Sequence, residues 1–186
     1  MNETKKLRVA LFFGGVSSEH EVSCVSASTW LRALAQAPCA DRYEVFPVGI
    51  TKQGRWLACS PTPEAMADGS WEKGADCTPC VLSPDRTDHG IWMLKDGKAE
   101  LVHIDICAPV MHGKNGEDGT IQGLFELARI PYVGCGVLGS AVCMDKAVAN
   151  TIMDAAGVPH CKWASAIRAE LEGDHKALLD SIERRL

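Results

Sequence analysis

The chain has 186 residues, a formal net charge of −5 and 46% hydrophobic residues, which is typical of a globular protein with one complete core. The acidic balance and the lack of a basic block exclude an extended nucleic-acid surface, because affinity for phosphate backbones comes mostly from clustered lysine and arginine. No apolar run approaches the roughly 18 residues that span a bilayer, and the polar first residues differ from a signal peptide, so the sequence predicts no membrane segment and a cytoplasmic location.

Two strands with a helix between them open the predicted fold. Residues 7–13 form a continuous apolar run that stops at Gly14 and Gly15, which is typical of a strand buried on both faces of a parallel sheet. Residues 43–50 predict a second strand. Such a unit normally closes right-handed and parallel, so we expect an α/β fold on a parallel sheet.

The helix between these strands is predicted to begin at Ser18 and to run to about Gln36. Ser18 and Glu21 have the S-x-x-E spacing of a capping box, in which the two side chains bond to the first backbone N–H groups. The predicted inner face carries Val22, Val25, Thr29 and Ala33.

The middle of the chain alternates between irregular and ordered patterns. Residues 51–89 lose their periodicity amid Gly, Pro, Ser and Asp, which predicts a surface excursion with short elements. The Asp96-Gly97 pair then separates the apolar segments 91–94 and 99–102 and predicts a β-hairpin. Residues 104–111 return to the pattern of a buried strand.

Three helices and two short strands are predicted in the last third of the chain. The strands are expected at 132–134 and 162–167. Because a helix with an apolar face needs a partner, the packing of the last 40 or so residues is expected to be incomplete. The helices have their apolar positions at Ile121, Leu124, Phe125 and Ala128, then at Val148, Ile152 and Ala155, and last at Leu178, Leu179, Ile182 and Leu186.

The nine cysteines are expected to be reduced and mostly buried. Their number is odd and several lie in apolar stretches, which does not favour a disulfide framework. Cys77 and Cys80 form a C-x-x-C pair, for which half a zinc site or a redox motif is the alternative. No second pair or well-placed histidine follows, so we expect free thiols without metal.

The turn after the first strand is the first candidate site. Gly14 and Gly15 allow a ligand to approach the backbone, and the following helix start offers free N–H groups. The spacing matches neither a dinucleotide fingerprint nor a P-loop. Glu19 places negative charge where an anion would otherwise bind, which suits an ammonium group; the alternative is that Glu19 only complements the helix dipole. For Glu21 the capping role is favoured.

The loop that begins at His112 is the second candidate site. Ligands bind outside the carboxyl ends of parallel strands, so His112 and the Gly14 turn are expected to line one crevice. His112 is predicted to orient a substrate, and the alternative is a loop histidine that holds a backbone carbonyl. Glu117 and Asp118 are candidates for a cation site, although Asp118 is favoured as a helix N-cap.

Lys146 is the third candidate. A lysine at the start of a helix is poorly placed for the helix dipole, so it is either solvated or directed at an anion held by another element. The other histidines have no partners at matching spacings and predict no site.

Three stretches of the chain together resemble the D-alanine–D-alanine ligases, including their D-alanine–D-serine and D-alanine–D-lactate relatives. These are FFGGVSSEHEVS near the start, HGKNGEDGTIQGLFELARIPYVGCGVLGSAVCMDK in the middle and AGVPHCKWA after it. The resemblance covers almost the whole chain except about residues 51–100, which vary in such proteins.

The resemblance implies an ATP-grasp enzyme that makes the dipeptide precursor of peptidoglycan. In this reaction ATP phosphorylates the carboxylate of a first D-alanine, and the amine of a second attacks the acyl phosphate. The residue matching Glu19 holds the ammonium of the first D-alanine, the one matching His112 lies near the same substrate, and the one matching Lys146 reaches the nucleotide phosphates. The implied substrate-binding turn also includes Gly14, Gly15 and Ser18.

The resemblance also implies a division into domains. Residues 1–142 correspond to the N-terminal substrate domain, which is Rossmann-like (pre-ATP-grasp), and residues 143–186 to the start of the ATP-grasp central domain. The family's magnesium-binding carboxylates, serine-rich loop and lid have no counterpart before Leu186. The chain is therefore interpreted as an N-terminal fragment that is inactive alone and holds neither ATP nor Mg²⁺ well, from a family that is usually dimeric through this region.

Two other functions stay open at this point. One is a non-enzymatic module that binds a small amino acid or a partner through the same crevice. The other is an unrelated doubly wound nucleotide-binding domain, which the lack of a glycine fingerprint disfavours. The sequence does not choose among D-alanine, D-serine and D-lactate as the second substrate.

Overall fold

The computed structural model describes residues 5–186, which divide into two compact units, one up to Ala141 and one from Val142 to Leu186. The first unit contains one seven-stranded sheet with helices on both faces. Its elements are β1 (Leu7–Gly14), α1 (His20–Leu34), α2 (Cys39–Arg42), β2 (Tyr43–Ile50), β3 (Trp56–Ala58), α3 (Pro63–Ala67), a 3₁₀ helix (Ser70–Lys73), β4 (Thr78–Leu82), β5 (Gly90–Lys95), β6 (Lys98–His103), β7 (Ile106–Pro109), α4 (Thr120–Ala128) and α5 (Val137–Met144), which crosses the boundary.

The strand order is β6-β5-β4-β3-β2-β1-β7. The strand β1 pairs in parallel with β2 and with β7, as the predicted unit requires, whereas β3 to β6 extend the sheet in antiparallel fashion. The α/β class is thus confirmed, with a sheet that is parallel only in its β2-β1-β7 part. None of the helices in the described residues combines the length and apolar character that a membrane crossing requires.

The apolar run of β1 is explained by two cores, one on each face of the sheet. Ala10 and Phe12 point into the core that α4 covers through Phe125, whereas Leu11 and Phe13 point into the core that α1 covers. Each of these five side chains is fully buried. Alternate residues of a strand point to opposite faces, so a strand covered on both sides is apolar throughout.

The prediction for residues 51–89 as a surface excursion is wrong. The segment supplies two strands of the sheet, and Trp71 and Met66 are among the most deeply buried side chains of the protein. The Trp71 ring packs edge-on against Phe13, with centroids 4.8 Å apart. The elements were too short to show periodicity, although their side chains complete the α1 core. The hairpin at Asp96 and Gly97 is confirmed, with φ of 52° and 72° at the turn.

The predicted inner face of α1 is also wrong. Val22, Val25, Thr29 and Ala33 are exposed. The buried positions are instead His20, Ser23, Cys24, Ala27 and Ser28. This face is small and partly polar because it packs against the backbone of the turn after β1, whose N–H and C=O groups need hydrogen-bond partners.

The second unit contains three further helices, α6 (Lys146–Ala155), α7 (Arg168–Leu171) and α8 (His175–Arg185). Asp145 and Asp174 cap α6 and α8 through their carboxylates. Among residues 142–186, all of which the structure describes, none is buried. The strand predicted at 162–167 is wrong, since this segment is irregular, and the strand predicted at 132–134 is reduced to one parallel bridge between Tyr132 and Cys107.

Candidate functional site

The candidate site lies where β1 and β7 end side by side. Because the two strands are parallel neighbours, the turn from Gly14 to Glu19 and the loop from His112 to Gly119 emerge at the same edge of the sheet. The crevice between them is built entirely from the first unit. The sequence-based expectation that His112 and the Gly14 turn approach one another agrees with this geometry.

Gly14 and Gly15 make the turn after β1, and both have positive φ, 82° and 103°. A Cβ on Gly14 would lie 2.3 Å from the carbonyl oxygen of Ile50, so the close approach of β2 excludes any side chain at this position. The N–H of Gly15 donates to the same Ile50 oxygen at 2.7 Å.

Two buried polar side chains of α1 fasten this turn from behind. The Ser23 hydroxyl accepts the Gly14 N–H at 2.8 Å and donates to the Val110 carbonyl at 2.5 Å, which joins the ends of β1 and β7. The His20 Nδ1–H donates to the Gly15 carbonyl at 2.7 Å. Both side chains are almost inaccessible to water, so the turn is held by satisfied buried hydrogen bonds.

His112 is held by two serines of the first turn and helix. Ser17 donates to the His112 carbonyl at 2.8 Å, and its oxygen also accepts the Glu19 N–H at 3.1 Å. The Ser26 hydroxyl lies 3.0 Å from Nε2 of the His112 ring. On the other side of the ring, Nδ1 is 4.0 Å from a carboxylate oxygen of Glu117.

Glu19 occupies the N-cap position of α1, but its side chain makes no capping hydrogen bond. Its carboxylate lies beside Gly113, where a Cβ would be 3.3 Å from Oε2. One ligand atom from each of Glu19, His112 and Glu117 lies within 4.8 Å of the others. In the described part of the chain these are the side chains whose donor set suits a small cation, either a metal ion or an ammonium group.

The predicted capping box of Ser18 and Glu21 is wrong. The helix begins two residues later than predicted, at His20, and Ser18 is exposed, with no side-chain hydrogen bond found for it among residues 5–186. Glu21 instead pairs with Lys52, which donates to its carboxylate. This hydrogen bond holds the pKa of Glu21 below its ordinary value.

The loop from His112 to Gly119 is organised by its own carboxylates. Glu117 accepts the Gly113 N–H at 2.6 Å, and Asp118 accepts the N–H groups of Asn115 and Thr120 at 2.8 and 3.0 Å. Partial burial of Asp118 acts to raise its pKa, but these N–H donors outweigh it and hold the pKa below its ordinary value. The prediction of Asp118 as the N-cap of α4 is wrong, since Gly119 occupies that position; Asp118 lies one residue earlier and accepts the N–H of Thr120, the first residue of the helix.

An apolar cavity of about 290 Å³ opens beside Gly15. Asn115 and Thr120 are the residues in its lining whose side chains are mainly polar. The apolar side chains that line it are Val16, Ile50, Trp56, Met111, Ile121 and Leu124. Glu19, His112 and Glu117 are not among the residues that line this cavity, which shares with the crevice the turn residue Gly15 and the loop residue Asn115.

Lys146 is the first residue of α6 in the second unit. Its side chain is exposed, and Nζ donates to the Cys143 carbonyl at 3.4 Å, within the same unit. The role in nucleotide binding therefore stays a prediction from the resemblance.

The C-x-x-C pair does not form a site. Cys80 belongs to the core on the α4 face of the sheet, whereas Cys77 packs against the core on the α1 face and donates from Sγ to the Trp71 carbonyl at 3.1 Å. Burial raises the pKa of Cys80 to about 12. All nine cysteines are free thiols, and four are buried while three are exposed, so the prediction that most are buried is wrong.

Sequence reasoning missed the side chains that hold the site in place. Together with His20, three serines occupy every third position of the chain from the turn into the first turns of α1. They are Ser17, Ser23 and Ser26. Polar residues at the spacing of a helical face were the available signal. They were not recognised because the apolar positions nearby suggested a different buried face.

Comparison with known proteins gives three consistent results. Residues 8–135 match the family model described as the D-ala D-ala ligase N-terminus. A D-alanine–D-alanine ligase of Caldicellulosiruptor bescii is 49% identical over 178 residues, which are 96% of this chain and 47% of that protein. The chain spans about half the length of the curated relatives that it matches.

Two solved structures of ligases are similar to this fold. The VanG D-Ala:D-Ser ligase from Enterococcus faecalis superposes with a TM-score of 0.81 at 35% identity, covering 98% of this chain and 50% of that one. The D-alanine–D-alanine ligase from Coxiella burnetii gives a TM-score of 0.77 at 33% identity, covering 95% of this chain and 50% of that one. The resemblance inferred from the motifs is thus confirmed.

Proposed function

Because the chain belongs to the D-alanine–D-alanine ligase family, whose N-terminal region it matches over residues 8–135, we propose that it is the part of such a ligase that binds the first D-alanine. The ligase would join this D-alanine to a second amino or hydroxy acid through an acyl phosphate, for peptidoglycan synthesis in the cytoplasm. The observation that carries the proposal is that the Glu19 carboxylate makes no capping hydrogen bond and lies beside His112 and Glu117.

The charge and position of Glu19 support this assignment. The Glu19 carboxylate makes no hydrogen bond to the first N–H groups of α1, so capping does not account for its position. It lies instead beside Gly113, in the loop after β7. An ammonium group carries three donors and one positive charge, so it suits a site lined by two carboxylates and an imidazole.

The geometry suggests a role for each neighbour. Gly14 and Gly15 would bring backbone close to the ligand, and His112 would contribute its ring from the same cluster as Glu19. Glu117 holds the Gly113 N–H with one oxygen and faces His112 with the other. Together these groups would fix the amine end of the first D-alanine and leave its carboxylate free for phosphorylation. For Ser18, which is exposed, a substrate contact stays a prediction.

ATP and Mg²⁺ are proposed for the complete ligase rather than for these residues. The resemblance assigns Lys146 to the nucleotide, and one exposed lysine bonded to a neighbouring carbonyl does not make a nucleotide site. When bound, the nucleotide supplies the phosphoryl group that activates the carboxylate. With ATP, magnesium and millimolar D-alanine, the 186-residue chain alone is expected to release phosphate at the rate of the buffer blank.

We also propose that the ligase is a homodimer in which α1 contributes to the interface. Val22 and Val25 are 55% and 52% exposed, and with Thr29 and Ala33 they form an exposed stripe along one side of the helix. Replacement of Val25 by Asp is expected to shift the mass measured by light scattering from dimer to monomer. The non-enzymatic module is not favoured, because each relative described above is a ligase.

The test of the proposed function is Glu19→Gln in a ligase that contains this chain. A hydrogen bond to a charged group is worth about 1.5 to 3 kcal/mol, so the KM for the first D-alanine is expected to rise roughly 10- to 150-fold. The KM for ATP should stay nearly unchanged, since Glu19 would contact only one substrate.

Glu21→Gln is the matched control, because Glu21 is two residues away and pairs with Lys52 outside the crevice. This substitution is expected to leave both KM values unchanged. If Glu19→Gln changes the first KM by less than about twofold, or if Glu21→Gln raises it more, the assignment of Glu19 is wrong.

A further inference from the structure

The hydrogen bond between Ser26 and His112 links α1 to the loop after β7, across 86 positions of sequence. Ser26 lies one helical turn beyond Ser23, on the side of α1 that faces the ends of β1 and β7. Its hydroxyl makes this one hydrogen bond to the ring, and no bond to the helix backbone is found for it in residues 5–186. A serine within a helix otherwise tends to bond to the carbonyl four residues earlier, so this side chain is committed to His112.

The two nitrogens of the His112 ring have different surroundings. Nε2 faces the Ser26 hydroxyl at 3.0 Å, and a hydroxyl can either donate or accept. Nδ1 faces the carboxylate of Glu117 at 4.0 Å, and the Glu19 carboxylate belongs to the same cluster. An ionised carboxylate can only accept, so a lone pair on Nδ1 would face two groups of negative charge.

In the neutral ring, one arrangement of protons satisfies both sides. The proton lies on Nδ1, directed at the carboxylates, and the lone pair of Nε2 accepts the proton of the Ser26 hydroxyl. The opposite tautomer retains the serine contact through an Nε2–H donor, but it places a lone pair toward Glu19 and Glu117. The carboxylates, which can only accept, thus decide which of the two ring nitrogens carries the proton.

We propose that the carboxylates beside Nδ1 set the Nδ1–H tautomer of His112, and that Ser26 is a positioning residue whose hydroxyl donates to Nε2 and holds the ring in this orientation. The N–H then faces the Glu19 and Glu117 carboxylates and keeps them oriented toward the crevice. The effect of this orientation on binding the amine of the first D-alanine rests on the proposed function. The assignment of the tautomer is independent of that function. Ser26 does not contact the substrate in this assignment and acts only through His112.

The test reads the tautomer directly, by ¹⁵N–¹H correlation spectroscopy of the histidine side chains of the 186-residue chain. The spectra are recorded without substrate near pH 9, more than two units above the ordinary pKa of about 6.5 for a histidine, so that neutral rings are observed. The signals of His112 are assigned by their loss in His112→Gln. In the unsubstituted chain, we expect the proton on Nδ1 and a pyridine-like signal from Nε2.

Three substitutions separate positioning from packing. Ser26→Ala is expected to leave the proton on Nδ1 and to move the Nε2 signal downfield, toward that of an unbonded pyridine-like nitrogen, because the hydroxyl that donates to Nε2 is lost. Ser26→Thr retains the hydroxyl and should restore the Nε2 signal. Ser28→Ala removes a hydroxyl two residues away on the same helix, which donates to the Val25 carbonyl, and should leave the Nε2 signal unchanged.

A proton found on Nε2 in the unsubstituted chain would overturn the proposal, and this result needs no variant to fold. So would an Nε2 signal that Ser26→Ala leaves unmoved. Neither outcome depends on D-alanine, because the spectra contain no substrate. The proposed function fails separately, on the KM of Glu19→Gln, so the two failures are distinguishable.

Discussion

The two turns that border the crevice lie at the ends of neighbouring parallel strands, yet they are held in different ways. The turn after β1 is fastened from behind by buried side chains of α1, with Ser23 and His20 bonded to its backbone. The loop after β7 is fastened by carboxylates from within, with Glu117 and Asp118 accepting its N–H groups. The first turn therefore depends on tertiary packing, and the second depends mainly on its own sequence.

This difference has a consequence for the site. A buried neutral hydrogen bond gives a fixed geometry that solvent does not disturb, whereas a partly exposed carboxylate is screened by water and loses its acceptor role when it is protonated. Glu19 stands on the turn that is held from behind, and His112 stands at the start of the loop that holds itself. The crevice thus combines a rigid wall with one that responds to solvent conditions.

The largest expected effect is a loss of stability when a glycine is replaced, and this loss should differ between the two turns. In Gly14→Ala, the positive φ of 82° and a Cβ placed 2.3 Å from the Ile50 oxygen should together destabilise the protein by about 3 kcal/mol or more. In Gly113→Ala, φ is 67° and the nearest atom is the flexible end of Glu19, so the loss should be about 1 kcal/mol. Urea unfolding followed by circular dichroism measures both. Equal losses would show that the two turns are equally constrained.

Ser23→Ala is expected to have the next largest effect. It removes the partner of the Gly14 N–H and of the Val110 carbonyl in a fully buried setting, which should lower the free energy of unfolding by about 2 kcal/mol. The control is Ser28→Ala, whose hydroxyl bonds only to nearby groups, for which a change within about 0.5 kcal/mol is expected. If the control is as damaging as Ser23→Ala, the link between β1 and β7 contributes little.

The smallest expected effect concerns Asp118 and depends on pH. Its pKa in the folded protein is below the ordinary value of 3.8, so its stabilising effect is present above that value and disappears as the pH falls through the lower folded pKa. Asp118→Asn should therefore destabilise the protein by about 1 kcal/mol near pH 7, allowing for solvent screening, and the difference should shrink below about pH 4.

Urea unfolding at pH 7, 5 and 3 measures this dependence. The difference between Ser23→Ala and the unsubstituted chain serves as the reference, because a serine hydroxyl does not titrate and its effect should stay constant over the same range. An Asp118→Asn difference that is as large at pH 3 as at pH 7 would mean that the destabilisation does not come from the loss of the ionised carboxylate. The loop after β7 would then not be held by the charge of its carboxylates, as the comparison with the turn after β1 assumes.

Much of the fold could be predicted because local patterns carried enough information. The strands at Leu7 and Tyr43, the hairpin at Asp96 and the helix that begins at Thr120 each have a strong periodicity or turn signal over their own residues. The candidate site residues Glu19 and His112 were found the same way, since each follows a buried strand in a glycine-containing turn. The family was recognised from motifs in these same segments.

The sequence by itself thus determined the central strands, the family and the two residues at the mouth of the crevice. Only the tertiary structure decided which side of α1 is buried, that Trp71 belongs to the core, and that Ser23 and Ser26 hold the site. The physical reason is the same in each case. A backbone group in a neighbouring turn selects its partner by distance in space, and Ser23 and Val110 are 87 positions apart along the chain, so no local pattern records that they meet.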